Sequence, residues 1–154
     1  MKTILQTAMI SAVLHLAGAH AVHANDASVI RRTQTGILNV FHADQASKVN
    51  VVEVNQFGRQ NIAAVRQKGE QNSVSLLQMG HSNFADVSQE GGASSANIRQ
   101  MGGVSETVLF QSGRISRSLV VQSGVDNYVT GYVNGGLNLL IVEQTARPRG
   151  IFSR

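Results

Sequence analysis

Cysteine is absent from this chain of 154 residues. That excludes disulfides and any thiol nucleophile. Proline occurs once, at Pro148, where it cannot donate a strand hydrogen bond. Histidine is sparse: His15, His20 and His23 near the start, then His42 and His81. The last two stand on different repeat units, make no metal site, and read as exposed polar residues. The acidic residues Asp26, Asp44, Glu53, Glu70, Asp86, Glu90, Glu106, Asp126 and Glu143 are scattered rather than paired as an acid and base. They read as charges that limit uncontrolled aggregation. Glycine-containing triplets abound, but no phosphate loop of the form G-x-x-x-x-G-K-[ST] follows a strand. No catalytic activity, metal or cofactor is expected. The formal net charge of +4 is too small to argue for nucleic acid.

Long apolar runs are also missing. The opening MKTILQTAMISAVLHLAGAHAVHA carries Lys2, then an interrupted apolar stretch through Ile10, Val13, Leu14 and Leu16. It is too short and broken to span a bilayer, which needs about 20 apolar residues. With Val22 and Ala24 at the −3 and −1 positions, it reads as a secretory signal peptide covering 1–24. Ala19 is the alternative cleavage site. The mature chain is therefore expected outside the cytoplasm, and without disulfides its stability must come from the pattern that follows.

That pattern is an eleven-residue repeat with no insertion. Stepping from Gln34 gives Gln45, Gln56, Gln67, Gln78, Gln89, Gln100, Gln111, Gln122, Val133 and Gln144. Two residues after the anchors stand Gly36, Ser47, Gly58, Gly69, Gly80, Gly91, Gly102, Gly113, Gly124 and Gly135. Five after them stand Asn39, Asn50, Asn61, Asn72, Asn83, Ser94, Ser105, Ser116, Asn127 and Asn138. A fixed short period means stacked units.

Offsets +5, +7, +9 and +11 share one face of an extended chain. At +7 and +9 that face is small or aliphatic, as in Ala63, Val65, Val74, Leu76, Ala85 and Val87. The alternate offsets are mixed, as in Arg66, Ser73, Ser75 and Asp86. This is strand alternation, not a helical period. Each unit reads as a short strand plus a glycine turn, too tight for a helical crossover. A meander or a solenoid could follow, and the identical spacing favours the solenoid. The expected fold is all-β: a β-solenoid of five two-strand coils at 34–55, 56–77, 78–99, 100–121 and 122–143. At roughly 4.8 Å per coil, the stack stands about 24 Å tall. The buried amides need partners, and like side chains on adjacent coils can form ladders. No capping unit protects the ends, so addition of further copies is expected. The short segment 25–33 precedes the repeats, and the tail 145–154 follows with Arg147, Arg149 and Arg154. That tail reads either as a solubilising end or as a partner-binding one. The last two coils place Val108, Phe110, Leu119, Val121, Tyr128, Tyr132, Leu139 and Ile141 outward, against a more polar outward face in the first three. These residues read either as an association surface or as ordinary strand formers.

The full motif Q-x-G-x-x-N-x-A-x-V-x-Q occurs at Gln56, Gly58, Asn61, Ala63, Val65, Gln67 and again at Gln78, Gly80, Asn83, Ala85, Val87, Gln89. It resembles the curlin repeat of bacterial curli subunits, and the resemblance covers residues 34–144. It implies an extracellular amyloid fibre, reached through the periplasm and serving adhesion and biofilm formation at the bacterial surface. Glycine in nearly every half-repeat and a strict spacing look like the minor, nucleating subunit rather than the major fibre-building one. The implied partners are the major curlin subunit, further copies of the chain itself, the outer-membrane curli secretion channel with its accessory factors, and host extracellular-matrix proteins. The resemblance implies self-assembly through the Gln and Asn ladders, with surface anchoring at Arg147, Arg149 and Arg154. Outside the family, a secreted ligand-binding β-solenoid is the alternative. It would need a calcium nonapeptide, an outward Thr array or clustered carboxylates, and none of these is present.

Overall fold

The structure is a computed structural model that describes the backbone of residues 20–145 and the side chains of 29–46 and 49–145. Six strands follow one another: β1 (His20–Ile37), β2 (Val40–Arg59), β3 (Ile62–His81), β4 (Asn83–Gly102), β5 (Ser105–Gly124) and β6 (Asn127–Thr145). They pair in chain order, all parallel. Gln56 pairs with Gln78, which pairs with Gln100, so one coil is 22 residues throughout the repeats. The fold is the expected all-β parallel solenoid. Most of the signal sequence, and the tail beyond Thr145 with Arg147, Arg149 and Arg154, lie outside the described residues.

Two features differ from the eleven-residue reading. First, each ladder strand is nearly a whole coil, not half of one. The reason is that the two turns of a coil are built differently. At one, Gly58, Gly80 and their equivalents have φ of 99–124°, and Leu38, Gln60, Ser82 and Asp126 take left-handed φ of 57–60°. Two non-extended residues interrupt the ladder there. At the other, a glycine such as Gly69 (φ 129°) turns the chain without a left-handed partner. Only the residue after it drops from the pairing, since Gly69↔Gly91 is followed by Gln71↔Ala93. Second, pairing starts before Gln34. Residues 20–37 already lie on β2, with a register shift between Asn25 and Ala27.

Glycine at the turns is dictated by stacking as well as by φ. A Cβ on Gly69 would lie 1.8 Å from the carbonyl oxygen of Gly91 on the next coil. No side chain fits between carbonyls packed that closely.

The inward face holds Phe41, Ala43, Val52, Val54, Ala63, Val65, Val74, Leu76, Ala85, Val87, Ala96, Ile98, Leu109 and Val120, each at most 2 % exposed. The core is narrow, so volumes trade off within a coil. Phe41 stands two residues from Ala43. Gly131 leaves room for Leu140: a Cβ there would come 2.7 Å from Leu140 Cδ2. Outward, Leu119, Tyr128, Tyr132, Leu139 and Ile141 are exposed, as expected for the last coils. The first coils are less uniformly polar than their sequence suggested, because Val40, Ile62 and Phe84 stack outward beside a turn.

A carboxylate in this core has no partner. Val65→Asp or Val87→Asp is expected to cost about 3–5 kcal/mol and abolish the β signal in circular dichroism. Ser88→Asp, one residue along and outward, should change stability by less than about 0.5 kcal/mol in the same denaturation series.

Candidate functional site: amide ladders and open edges

Each coil from Gln34 to Gln111 carries two inward glutamines, one before each turn. The first column is Gln34, Gln56, Gln78, Gln100, Gln122 and Gln144. Along it, Nε2 donates to Oε1 of the glutamine 22 residues later: 2.7 Å from Gln56 to Gln78, 2.8 Å to Gln100, 3.0 Å to Gln122 and 3.2 Å to Gln144. Gln34 donates to Gln56 in the same way. The same nitrogen has a second proton. It goes across the turn to a backbone carbonyl 16 residues earlier: Gln78 to Ile62 (2.9 Å), Gln100 to Phe84 (2.8 Å), Gln122 to Glu106 (3.0 Å) and Gln144 to Tyr128 (3.0 Å). One amide therefore ties neighbouring coils along the stack and the two walls of a coil across it. Both protons are satisfied, so burying a polar group of this size is tolerated.

The second column behaves alike through Gln45, Gln67, Gln89 and Gln111, at 2.7, 2.9 and 2.8 Å. Gln67, Gln89 and Gln111 also reach the carbonyls of Val51, Ser73 and Ser95. The next coil has Val133, which offers no acceptor. Gln111 Nε2 turns instead to Ser118 Oγ at 2.8 Å. Thr107 joins the first column similarly, donating to Gln122 Oε1 at 2.8 Å. The polar core residues Thr107 and Ser118 thus complete the ladders, a role their +7 spacing did not disclose.

The asparagines do two jobs. Asn39, Asn61, Asn83 and Asn127 each donate Nδ2 to a carbonyl four residues earlier (Thr35, Phe57, Met79 and Ser123), which closes the turn. Asn72 does so at the other turn, to Lys68. Asn61 also donates to Asn39 Oδ1 (3.1 Å) and Asn83 to Asn61 Oδ1 (2.9 Å). This ladder runs opposite to the glutamine ones and stops where Ser105 replaces Asn. The other asparagine column is not continuous: Asn50 is buried without a side-chain hydrogen bond, as is Asn138 Nδ2. Asn50, Asn72 and Asn138 are therefore grouped by position and not by a shared ladder.

Outward charges pair across coils, Arg66 with Asp86 at 2.9 Å and Lys68 with Glu90 at 3.2 Å. These exposed pairs add little energy and favour one register. His42 and His81 are exposed. Among the described residues no group of three His, Asp or Glu could hold a metal ion. No helix among them is long and apolar enough to cross a membrane.

The two ends differ. At the C-terminal edge Leu140, Val142 and Gln144 are only half-buried, although their equivalents in inner coils are covered. At the N-terminal edge Arg32 pairs with Val54 and so stands in the inward column of Leu76, Ile98, Val120 and Val142. Burial lowers its pKa below the ordinary arginine value. Sequence reasoning passed over Arg32 because it precedes the first glutamine; one step of 22 back from Val54 finds it.

The class of protein defined here is a repeat β-solenoid of amide-laddered coils with an uncovered edge. Residues 69–102 match a family model described as Curlin associated repeat. The match supports placing the chain with the curlin family. Comparisons with curated proteins and with solved structures returned no match.

The ladder end is testable. Ser118→Ala strands the Gln111 donor and should cost about 1–2 kcal/mol in urea denaturation. Adding Val133→Gln supplies the missing Oε1, so the double variant should recover most of that loss, a strongly non-additive cycle.

Proposed function

We propose that the chain is a minor curlin-type subunit that nucleates polymerisation of a major curlin subunit into extracellular amyloid fibres for adhesion and biofilm. The observation that carries this reading is the uncovered C-terminal edge, where Leu140, Val142 and Gln144 repeat the inward pattern of every inner coil. The slow step of fibre growth is ordering the first template, at about 1–2 kcal/mol per residue before stacking offsets it. A folded edge with backbone groups and amides already in register removes that step. The match to the curlin repeat supports a fibre subunit rather than an enzyme.

On this reading the chain is exported through the periplasm after loss of residues 1–24. It leaves by the outer-membrane curli channel with accessory factors and remains at the cell surface, where the fibre can meet host matrix proteins. Arg147, Arg149 and Arg154 would hold it there. A second reading, as a major subunit that builds the fibre itself, draws on the ladder polarity, because Gln34 lies in the same column as Gln144 and could continue it in a further copy.

The test is a thioflavin T time course of a purified major curlin subunit with a few per cent of this chain. Loss of the lag is expected. An unchanged lag, with efficient fibre formation by the chain alone, would favour the second reading. Deleting residues 145–154 should release the protein from cells into the medium, and continued cell association would remove the anchoring role.

A further inference from the structure

The two walls of the solenoid differ in charge over the last coils. β2 to β6 pair in register, so outward residues 22 apart stand in columns on each wall. One wall carries Glu106, Val108 and Phe110 on β5 and Tyr128, Thr130 and Tyr132 on β6, with one acid and no base. The other carries Arg117, Leu119 and Val121 on β5 and Leu139, Ile141 and Glu143 on β6, next to Arg99 on β4. Arg114 stands at the turn that leads into this second wall. Leu119, Leu139 and Ile141 are 37 %, 71 % and 63 % exposed, and Arg99, Arg114 and Arg117 are exposed around them. Leu119 lies within the stack, so its exposure is not that of an uncovered end.

An exposed apolar centre with a cationic rim matches the surface of a bilayer with anionic headgroups. The aliphatic side chains enter the interface, and binding strengthens with the apolar area they bury. Guanidinium groups on long stems reach the headgroup phosphates and bond them in a planar fork. The rim sets three positive charges against one negative, Glu143. Glu90, at the β4 turn below Arg114, is already engaged by Lys68. The chain leaves this wall at Thr145, and three further arginines follow in sequence. The opposite wall, with Glu106 and no base on these coils, lacks that complementarity.

We propose that the C-terminal half of this wall is a docking face for an anionic lipid bilayer. Leu119, Leu139 and Ile141 enter the interface, and Arg99, Arg114 and Arg117 bind the lipid phosphates. The inference deepens the surface retention proposed above, on which it rests for its setting. It gives the folded repeats, and not the tail alone, a share in that task. A wall laid on the bilayer holds the stack axis parallel to the membrane. The C-terminal edge then faces sideways, open to an incoming chain.

The experiment floats freshly purified chain with vesicles of equal parts phosphatidylcholine and phosphatidylglycerol, and with vesicles of phosphatidylcholine alone. Binding is expected to the anionic vesicles only, and to weaken with salt. Arg117→Gln should lower it about five-fold, and the triple Arg99, Arg114, Arg117→Gln variant roughly a hundred-fold. Leu119→Ser with Ile141→Ser should lower it at least about tenfold. Two controls should change it by less than about two-fold: Arg59→Gln, which removes the same charge from a turn, and Tyr132→Ser on the opposite wall. Circular dichroism checks that each variant keeps its fold. Equal losses for Arg59→Gln and Arg117→Gln would reduce the effect to bulk charge and overturn the face. So would binding that survives the triple variant but is lost on deleting residues 146–154. Wild-type chain that ignores vesicles, yet is retained on cells only with the three arginines intact, would give the face to a protein partner and overturn the lipid assignment. Vesicle binding of the expected pattern with an unchanged lag of a major curlin subunit leaves the docking face standing and removes nucleation. No vesicle binding, with the lag lost, does the reverse.

Discussion

The hydrogen bond from one glutamine to the next, 22 residues on, is the constraint from which the rest follows. A side-chain amide bonds its own kind on the neighbouring coil only if both stand at one height and angle. Every coil must therefore have the same length. A single insertion would carry each later amide away from its acceptor and move inward residues outward. Strict spacing forces tight turns, and stacking of those turns brings glycine carbonyls too close for a Cβ. The small aliphatic core fits the same frame. With the walls joined by amides that span the turns, there is room for four modest inward side chains per coil and little else.

Much of this was legible from spacing. The period located the glutamine columns, the glycine turns and the buried alternation, because each is a property of one residue type at one offset. What stayed hidden depends on differences between half-repeats that share those types. Gln60 and Gln71 hold equivalent offsets, yet only the first lies in a turn that requires a left-handed residue. Asn61 and Asn50 also share an offset, but Asn61 bonds along the stack while Asn50 is buried without a bond. Thr107 and Ser118 share the +7 offset with the aliphatic core, whereas their hydroxyls serve the amide columns. Arg32 escaped notice because no glutamine marks its rung.

The opposed sense of the ladders has an electrostatic side. Aligned amide dipoles add along a column as peptide dipoles add along a helix. The glutamine column that runs unbroken from Gln34 to Gln144 leaves a partial positive charge at the C-terminal edge and a partial negative one at the N-terminal edge. The Asn39–Asn61–Asn83 column opposes it over the early coils and ends at Ser105. The later coils therefore carry the less compensated polarity, at the same edge where inward apolar residues are half-uncovered.

Each strand touches only its sequence neighbours; among the described residues no contact joins β1 to β3 or β2 to β4. Every closure thus spans about one coil, and none becomes dearer as the chain lengthens. Such a molecule behaves as a one-dimensional lattice, in which order once begun spreads by nearest-neighbour steps. It can be wound up from a thread delivered slowly and in one direction, because no early segment waits for a distant late one. The free energy of the last coil is then nearly independent of how many lie beneath it. Within such a lattice, the boundary between two molecules is one more nearest-neighbour step.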